Sequence, residues 1–169
     1  MAIENVRNFF KQYNMDTQIQ EFAVSSATVD LAASALGCEP ERIAKTLSFL
    51  VNGQAVLVVT SGDAKIDNKK FKEFFNQKAK MLAPNEVVNL VGHAIGGVCP
   101  FAIRIGVSVY LDISLKRFET VYPACGSSNS AIELSIKQLE EYSSYLQWVD
   151  VCKEWRENGG ESSLLFTVK

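Results

Sequence analysis

Ten consecutive residues, 92–101, combine three glycines, a proline, a cysteine and the only histidine of the chain, and we call them the glycine loop. Gly96 and Gly97 lack a Cβ, so the main chain can adopt a positive φ or approach a ligand closely. Pro100 fixes its own φ and favours an extended Cys99. Main-chain N–H groups in such a loop can hold an anion or a polarised carbonyl. The same residues are also typical of a tight turn between a helix and a strand.

Three side chains could add chemistry to this loop. Lys45, at a predicted helix-to-strand boundary, could hold a phosphate or polarise a carbonyl, although an exposed structural lysine fits the position equally. His93 could serve as an acid or base, or it could simply bond to the main chain. Cys99 could be a nucleophile only with a base nearby, and His93 is six residues away. The sequence contains no Gly-x-Ser-x-Gly elbow, P-loop or Rossmann fingerprint.

The composition predicts an ordinary globular protein. The chain has 169 residues, which fit one domain over residues 1–169, and 47% of them are hydrophobic. The formal net charge of -2 has the wrong sign for a protein that grips long nucleic acid through many phosphate contacts. We therefore expect any contact with nucleic acid to be local.

The sequence also bears on location and on metal binding. It shows neither a signal-like start nor a membrane-length apolar run, so we expect a cytoplasmic protein without a membrane contact. The four cysteines are Cys38, Cys99, Cys125 and Cys152, and they form no C-x-x-C pair. With a single histidine to help them, they predict neither a metal site nor another cofactor site, and a core of this size does not call for disulfides.

Hydrophobic periodicity predicts an α+β fold: a mixed, mostly antiparallel sheet flanked by helices. The strongest signal is Asn52-Gly53 between two apolar β-branched runs, which predicts a hairpin whose second strand is central. Predicted helices cover residues 3–13, 29–36 with Thr28 as N-cap and Gly37 as stop, 67–75, 84–90 ended by Gly92, and 136–146 capped by Ser135. Predicted extended segments cover residues 18–24, 46–51, 55–60, 79–82, 103–105, 107–112, 119–124, 131–134 and 149–151, and Gly159-Gly160 predicts a break.

Three segments together resemble the YbaK/prolyl-tRNA-synthetase-associated family of aminoacyl-tRNA deacylases. The first is residues 28–37 (TVDLAASALG) running on to 43–47 (IAKTL), and the second leads from Thr60 to the glycine loop (GHAIGGVCPF). The third is residues 124–134 (ACGSSNSAIEL), of which we call 125–130 the small-residue loop. Each motif is weak alone, but the ordered set is fairly specific and covers about residues 15–146.

The resemblance implies translation quality control: hydrolysis of the ester between a mischarged amino acid and the 3′ end of a tRNA. The family's Gly-x-x-x-Pro signature falls on residues 96–100 and its functional lysine on Lys45, which helps to place the terminal nucleotide. N–H groups near Gly96 and Gly97 could stabilise the oxyanion, and no protein nucleophile is required. The implied substrate-binding residues are His93, Val98, Cys99, Pro100, Gly126, Ser127, Ser128 and Asn129.

The chain departs from the family pattern in both loops. Many relatives have glycine where this chain has Ala102, and some carry histidine or aspartate at Asn129 or Ala131. Esters of alanine, serine, cysteine or proline all remain candidates, because a missing methylene changes binding by only about 1 to 3 kcal/mol. A non-catalytic module that docks to a synthetase such as prolyl-tRNA synthetase, and a small-ester hydrolase, are the alternative functions. The sequence does not specify the oligomeric state.

Overall fold

The computed structural model describes residues 2–155, which contain five α-helices and ten β-strands. The helices are α1 (Ala2–Lys11), α2 (Val29–Leu36), α3 (Asn68–Phe75), α4 (Pro84–Val91) and α5 (Ile136–Ser143). The strands are β1 (Gln20–Glu21), β2 (Ile43–Val51), β3 (Gln54–Ser61), β4 (Lys65–Ile66), β5 (Ser108–Asp112), β6 (Thr120–Pro123), β7 (Ser130–Ala131), β8 (Leu134–Ser135), β9 (Gln147–Val149) and β10 (Cys152–Lys153). Three short 3₁₀ helices lie at Asp16–Gln18, Pro40–Arg42 and Ile113–Arg117.

The β2–β3 hairpin forms the centre of a six-stranded sheet with the order β8-β6-β2-β3-β5-β9. Asn52 and Gly53 both have positive φ, of 50° and 78°, as a two-residue hairpin turn of the predicted kind requires. The pairs β2–β3 and β6–β8 are antiparallel, whereas β2–β6, β3–β5 and β5–β9 are parallel. Two small antiparallel pairs, β1–β7 and β4–β10, lie outside this sheet. Because β2–β3 is the longest pair, most paired residues are antiparallel, and the predicted α+β class is confirmed.

Both faces of the sheet are covered, which explains why β3 is continuously apolar from Ala55 to Val59. Leu57 and Val59 pack into a core cluster with the aromatic rings of α1, while the alternate residue Val58 packs against Phe71 of α3 on the other face. A central strand buried on both sides has this continuous apolar character. The expectation that the second strand of the hairpin is central is therefore confirmed.

The ends of the helices follow the capping signals of the sequence. Thr28 Oγ1 accepts a hydrogen bond from Leu31 N, and α2 ends at Gly37 in the left-handed conformation. Helix α4 begins at Pro84 and ends at Val91, and it is followed by Gly92, whose φ is 98°. These stops were predicted because glycine adopts positive φ without a Cβ penalty. The first and last helices are shorter than the periodicity predicted and end at Lys11 and Ser143.

Several predicted strands are wrong or misplaced. Residues 79–82 form only an isolated bridge, between Phe49 and Met81. Residues 103–105 are a loop, because Ile105 is 105% exposed and gains nothing from strand burial. The predicted strands at 18–24 and 131–134 are reduced to two-residue pairings, and the strand predicted from 46 already begins at Ile43, where β6 pairs with it. The Gly159-Gly160 break lies outside the described residues.

The glycine loop packs directly against the main chain of the small-residue loop. A Cβ at Gly97 would lie 2.6 Å from Ser127 N and 2.7 Å from the carbonyl carbon of Gly126. Backbone atoms cannot rotate away as a flexible side chain can, so only glycine fits at this position. At the loop exit Ala102 has a φ of 53°, which is the left-handed region that glycine would occupy at lower cost.

We expect Gly97→Ala to lower the free energy of unfolding by about 3 kcal/mol, at the upper end of the cost of overpacking, because the new methyl group meets main-chain atoms. The control is Gly106→Ala, which places a Cβ in open space and costs about 1 kcal/mol through its φ of 96° alone. Urea unfolding of both variants gives the two values. An equal or smaller loss for Gly97→Ala would contradict the tight loop contact.

We expect Ala102→Gly to raise the free energy of unfolding by about 0.5 to 1 kcal/mol, because it removes the cost of a left-handed alanine. Ala55→Gly is the matched control: Ala55 lies buried in β3 without a positive φ, so glycine there destabilises. Both values come from the same denaturant titration. A loss of stability for both variants would show that the conformation of Ala102 carries no strain.

Candidate functional site

A cavity of about 330 Å³ opens beside the middle of β2. It is lined by five parts of the chain, namely residues 26–29 with Ala32, residues 43–48, residues 81–82, three residues of the glycine loop, and residues at the ends of β6 and β7. Most of its wall is apolar, and the polar groups are five hydroxyl side chains, the Tyr122 phenol and Lys45. Met81 and Ile95 form an exposed apolar rim, with 56% and 60% of their surface accessible.

Lys45 is the only lysine, arginine, aspartate or glutamate among the pocket residues within 2–155. It lies inside β2 and not at a helix-to-strand boundary, opposite Thr60 of β3. Its Nζ lies 3.5 Å from the Gly62 carbonyl oxygen, a long contact that leaves the ammonium free for further hydrogen bonds. Burial lowers the pKa of Lys45, and the nearby Asp63 carboxylate partly offsets this effect.

The turn at Gly62 and Asp63, which faces Lys45, is anchored by an ion pair. Arg117 donates to both carboxylate oxygens of Asp63, at 3.0 and 2.6 Å, and to the main-chain oxygen of Trp155 at 3.0 Å. Because bidentate pairs fix geometry as well as adding energy, Asp63 has a defined place beside the lysine. Gly62 is required here as well, since a Cβ would lie 2.1 Å from the Pro40 carbonyl oxygen.

Two residues of the predicted glycine-loop site line the cavity, and the other four do not. Gly96, with a φ of 96°, and Val98 line the pocket. Gly97 is buried against the small-residue loop, and its N–H donates to Ala94 O at 3.0 Å. That N–H is therefore engaged within the loop, which leaves Gly96 as the predicted glycine whose main chain faces a ligand. Pro100 is buried and does not line the pocket.

His93 and Cys99 belong to the glycine loop, but they are buried and do not line the cavity. His93 Nε2 lies 2.7 Å from the Phe101 carbonyl oxygen, which can only accept, so Nε2 carries the proton. That nitrogen is also the one 3.5 Å from Cys99 Sγ, and it cannot act as a base towards the thiol. Burial lowers the pKa of His93 and raises the pKa of Cys99 to about 12. The pair braces the loop and does not form a nucleophile with its base.

The small-residue loop contributes only its last residue, Ser130, to the pocket wall and otherwise positions that wall. Gly126, Ser127, Ser128 and Asn129 are absent from the cavity lining, whereas the next two residues, Ser130 and Ala131, belong to it. Asn129 Nδ2 donates to Phe22 O, and the Ser128 carbonyl accepts from Ser26 N. Ser127 Oγ bonds to Asn129 and Ser130. These contacts hold residues 22–28 in place, and part of that segment lines the cavity.

Several pocket residues were not predicted from the sequence. They are Ser26, Ala27, Thr28, Val29, Ala32, Ile43, Ala44, Thr46, Leu47, Ser48, Met81, Leu82, Ile95, Tyr122, Ala124, Ser130 and Ala131. The signal that could have identified the β2 members is the small or polar residue at alternate positions, Ala44, Thr46 and Ser48, in a strand otherwise rich in apolar side chains.

The described residues show no other centre of metal or membrane chemistry. Within residues 2–155, no three histidine, cysteine, aspartate or glutamate side chains are grouped as a metal site would need. In the same range no helix combines the length and the apolar character needed to cross a bilayer. The candidate site is the cavity beside β2, because Lys45 and Gly96, its chemistry-bearing residues, line it together.

Two solved structures share this fold over nearly their whole length. One, provisionally described as a trans-editing enzyme for prolyl-tRNA synthetase, is 26% identical with a TM-score of 0.81 and covers 90% of this chain and 97% of its own. The other, described as a hypothetical protein, is 29% identical with a TM-score of 0.78 and covers 88% of this chain and 99% of its own. The predicted fold family is thus confirmed.

The sequence comparisons point to the same family. The protein YwhH of Bacillus subtilis (strain 168), described as uncharacterized, is 55% identical over 156 residues, 92% of this chain and 99% of YwhH. The proline–tRNA ligase of Geobacillus sp. (strain WCH70) is 29% identical over 102 residues, 60% of this chain but only 18% of the ligase. The family model of the aminoacyl-tRNA editing domain matches residues 24–142, a range that includes every residue lining the cavity. The chain therefore belongs to the aminoacyl-tRNA editing domain family.

Proposed function

We propose that the protein hydrolyses the ester bond between a wrongly attached amino acid and the 3′ end of a tRNA. The observation that carries this proposal is the cavity itself, to which, among residues 2–155, Lys45 contributes the single ammonium group and Gly96 contributes main-chain atoms in an otherwise uncharged wall. A volume of about 330 Å³ is at the small end of ligand pockets and suits an aminoacyl group with part of its ribose. In this proposal the Lys45 ammonium holds the terminal nucleotide, whose phosphate and hydroxyl oxygens accept hydrogen bonds.

The proposed reaction uses a water molecule and no protein nucleophile. An aminoacyl ester is already activated, so an oriented carbonyl, a held water and a stabilised oxyanion account for its cleavage. The Cys99 thiol lies outside the cavity lining and is held in its protonated form, and the fixed tautomer of His93 offers it no base. Gly96 supports the oxyanion role, because its main chain faces the cavity and Gly97 N–H is engaged elsewhere. The neighbouring ribose hydroxyl of the substrate can assist the water.

A panel of tRNAs charged with wrong amino acids tests this function directly. Release of free amino acid supports the hydrolase, while binding without turnover supports the alternative of a non-catalytic module that docks to a synthetase. Simple amino-acid esters that lack the tRNA belong in the same panel. Cleavage of these at the same rate would favour a small-ester hydrolase instead.

The proposal also includes a partner protein and a cellular location. Prolyl-tRNA synthetase is the partner suggested by the similarity to bacterial proline–tRNA ligases and by the described role of one structural neighbour. A net charge of -2 agrees with a tRNA contact that is confined to the 3′ end or is shared with such a partner. We place the reaction in the cytoplasm, where aminoacyl-tRNA is used. Co-sedimentation of the protein with the synthetase and its tRNA tests the complex.

We expect Lys45→Met to lower kcat/KM for the best ester of the panel by about 100-fold or more, because it removes the only pocket cation of the described residues and keeps an apolar side chain of similar length. Lys69→Ala is the control: Lys69 is exposed on α3, away from the cavity lining, and its loss leaves the activity unchanged. Circular dichroism verifies that both variants fold. Full activity of Lys45→Met would overturn the proposed role.

We expect Cys99→Ala to keep at least a tenth of the activity, because a thiol that lies behind the loop and has a pKa of about 12 does not attack the ester. Cys125→Ala is a matched control, since both thiols are fully buried and each substitution leaves a similar cavity. Single-turnover rates of deacylation compare the two variants. A loss of more than 1000-fold in Cys99→Ala alone, with the fold intact, would assign Cys99 to the chemistry.

A further inference from the structure

One edge of β2 is open at a single position, and this position faces the cavity. On that edge β6 pairs with Ile43 and Ala44 only. Further along, Ser48 O accepts from Leu82 N at 3.1 Å, and Leu50 N donates to Lys80 O at 2.8 Å. Thr46 lies between these two contacts and has no strand neighbour on this edge among residues 2–155.

The main-chain groups of Thr46 point into this gap. In an antiparallel pair, successive residues direct their N–H and C=O groups alternately towards the partner and away from it. Ser48 and Leu50 direct these groups away from β3, towards residues 80–82. Thr46 lies two residues before Ser48, so its N–H and C=O point the same way, into the cavity that Thr46 lines.

The Thr46 side chain adds a second unsatisfied group at the same place. Its Oγ1 is buried and has no hydrogen-bond partner among the described residues. Buried polar atoms almost always have a partner, and one that lacks it at the wall of a cavity marks a place where a ligand or water bonds. Thr46 thus brings a main-chain donor, a main-chain acceptor and a hydroxyl without a partner to the cavity that it lines.

We propose that this gap is the subsite for the aminoacyl group, which pairs with Thr46 as one residue of a neighbouring strand would. In an antiparallel sheet two facing residues exchange both of their N–H···O bonds. An aminoacyl ester carries the same pair of groups across its α-carbon. Its amino group donates to Thr46 O, and its ester carbonyl accepts from Thr46 N–H.

The charges of the pocket agree with this pairing. No aspartate or glutamate lines the cavity in the described part of the chain, so the positive amino group of an aminoacyl ester has no carboxylate to receive it. A main-chain carbonyl is the remaining type of strong acceptor, and β2 offers one at Thr46. The pairing also places the ester carbonyl on a fixed N–H donor. The residue directly before Thr46 is Lys45. This inference rests on the proposed hydrolysis, for which it supplies the recognition of the substrate.

The amino group is tested with three esters on the same tRNA: alanyl, lactyl and propionyl. Removing a charged hydrogen-bond donor is expected to lower kcat/KM for the propionyl ester by about 10- to 100-fold, after each rate is divided by its uncatalysed rate. The lactyl ester keeps a neutral O–H donor and falls between the two. Equal normalised values for alanyl and propionyl esters would overturn the pairing.

Two variants separate the main chain of Thr46 from its hydroxyl. Thr46→Val keeps the N–H and C=O, so the ratio of alanyl to propionyl activity stays within about threefold of the wild-type ratio. Thr46→Pro removes the N–H without breaking the β2–β3 ladder, because this group points away from β3, and it is expected to lower the rate for both esters at least 10-fold. Collapse of the ratio in Thr46→Val would assign the amino group to Oγ1 and overturn the main-chain pairing.

A binding measurement keeps this inference distinct from the proposed hydrolysis and does not depend on the proline variant folding. The probe is 3′-alanylamido-3′-deoxyadenosine, with the 3′-propionylamido compound as control. We expect the alanyl compound to shift the ¹⁵N–¹H resonance of Thr46 and to bind at least 10-fold more tightly than the control. This result without turnover of any ester would refute the hydrolysis alone. An unmoved Thr46 resonance, while that of Gly96 shifts, would refute the pairing alone.

Discussion

The central constraint on this structure is that β2 is paired along its whole length on one side but only at its two ends on the other. The long antiparallel contact with β3 fixes the strand, its register and the position of Lys45. β6 and residues 80–82 hold the outer edge at either end. Because the two outer neighbours do not meet, the sheet contains an unfilled hydrogen-bonding position in its interior, and the cavity forms around it.

The loops close this cavity by packing against each other and not by presenting reactive side chains. Gly97 lies on the main chain at Ser127, which sets the distance between the glycine loop and the small-residue loop. His93 and Cys99 fill the space beneath, and residues 22–28 are held against the other side by Asn129 and Ser128. Conformational rigidity is therefore the contribution of these residues, while the groups that face a ligand are chiefly main-chain atoms, hydroxyls and one ammonium.

Local signals in the sequence were sufficient for the elements that depend on local physics. The Asn52-Gly53 turn, the stop at Gly37 and the start at Pro84 each depend on the conformational preference of one or two residues, and the structure confirms them. The strand predictions for residues 103–105 and 79–82 were wrong because apolar character alone does not supply a strand neighbour.

The site could be predicted only in part, for a related reason. Lys45 and the glycine loop were singled out by their residue types together with the resemblance to the family, and Lys45, Gly96 and Val98 line the cavity. Thr46 was missed because its importance comes from the absence of a neighbour on one edge, which no spacing of residues along the chain reveals. Which residues of the small-residue loop line the cavity is likewise determined by contacts with distant segments such as residues 22–28.

The Arg117 contacts also affect when the site forms. Arg117 joins Asp63, 54 residues earlier in the chain, to the main chain of Trp155, 38 residues later. A chain is synthesised from its N-terminus, so the strand that carries Lys45 exists long before either anchor of its facing turn. Contacts this distant in sequence form late in folding, since the loops that they close must be ordered first. The anchored turn beside Lys45 is therefore complete only when the chain has emerged at least as far as Trp155.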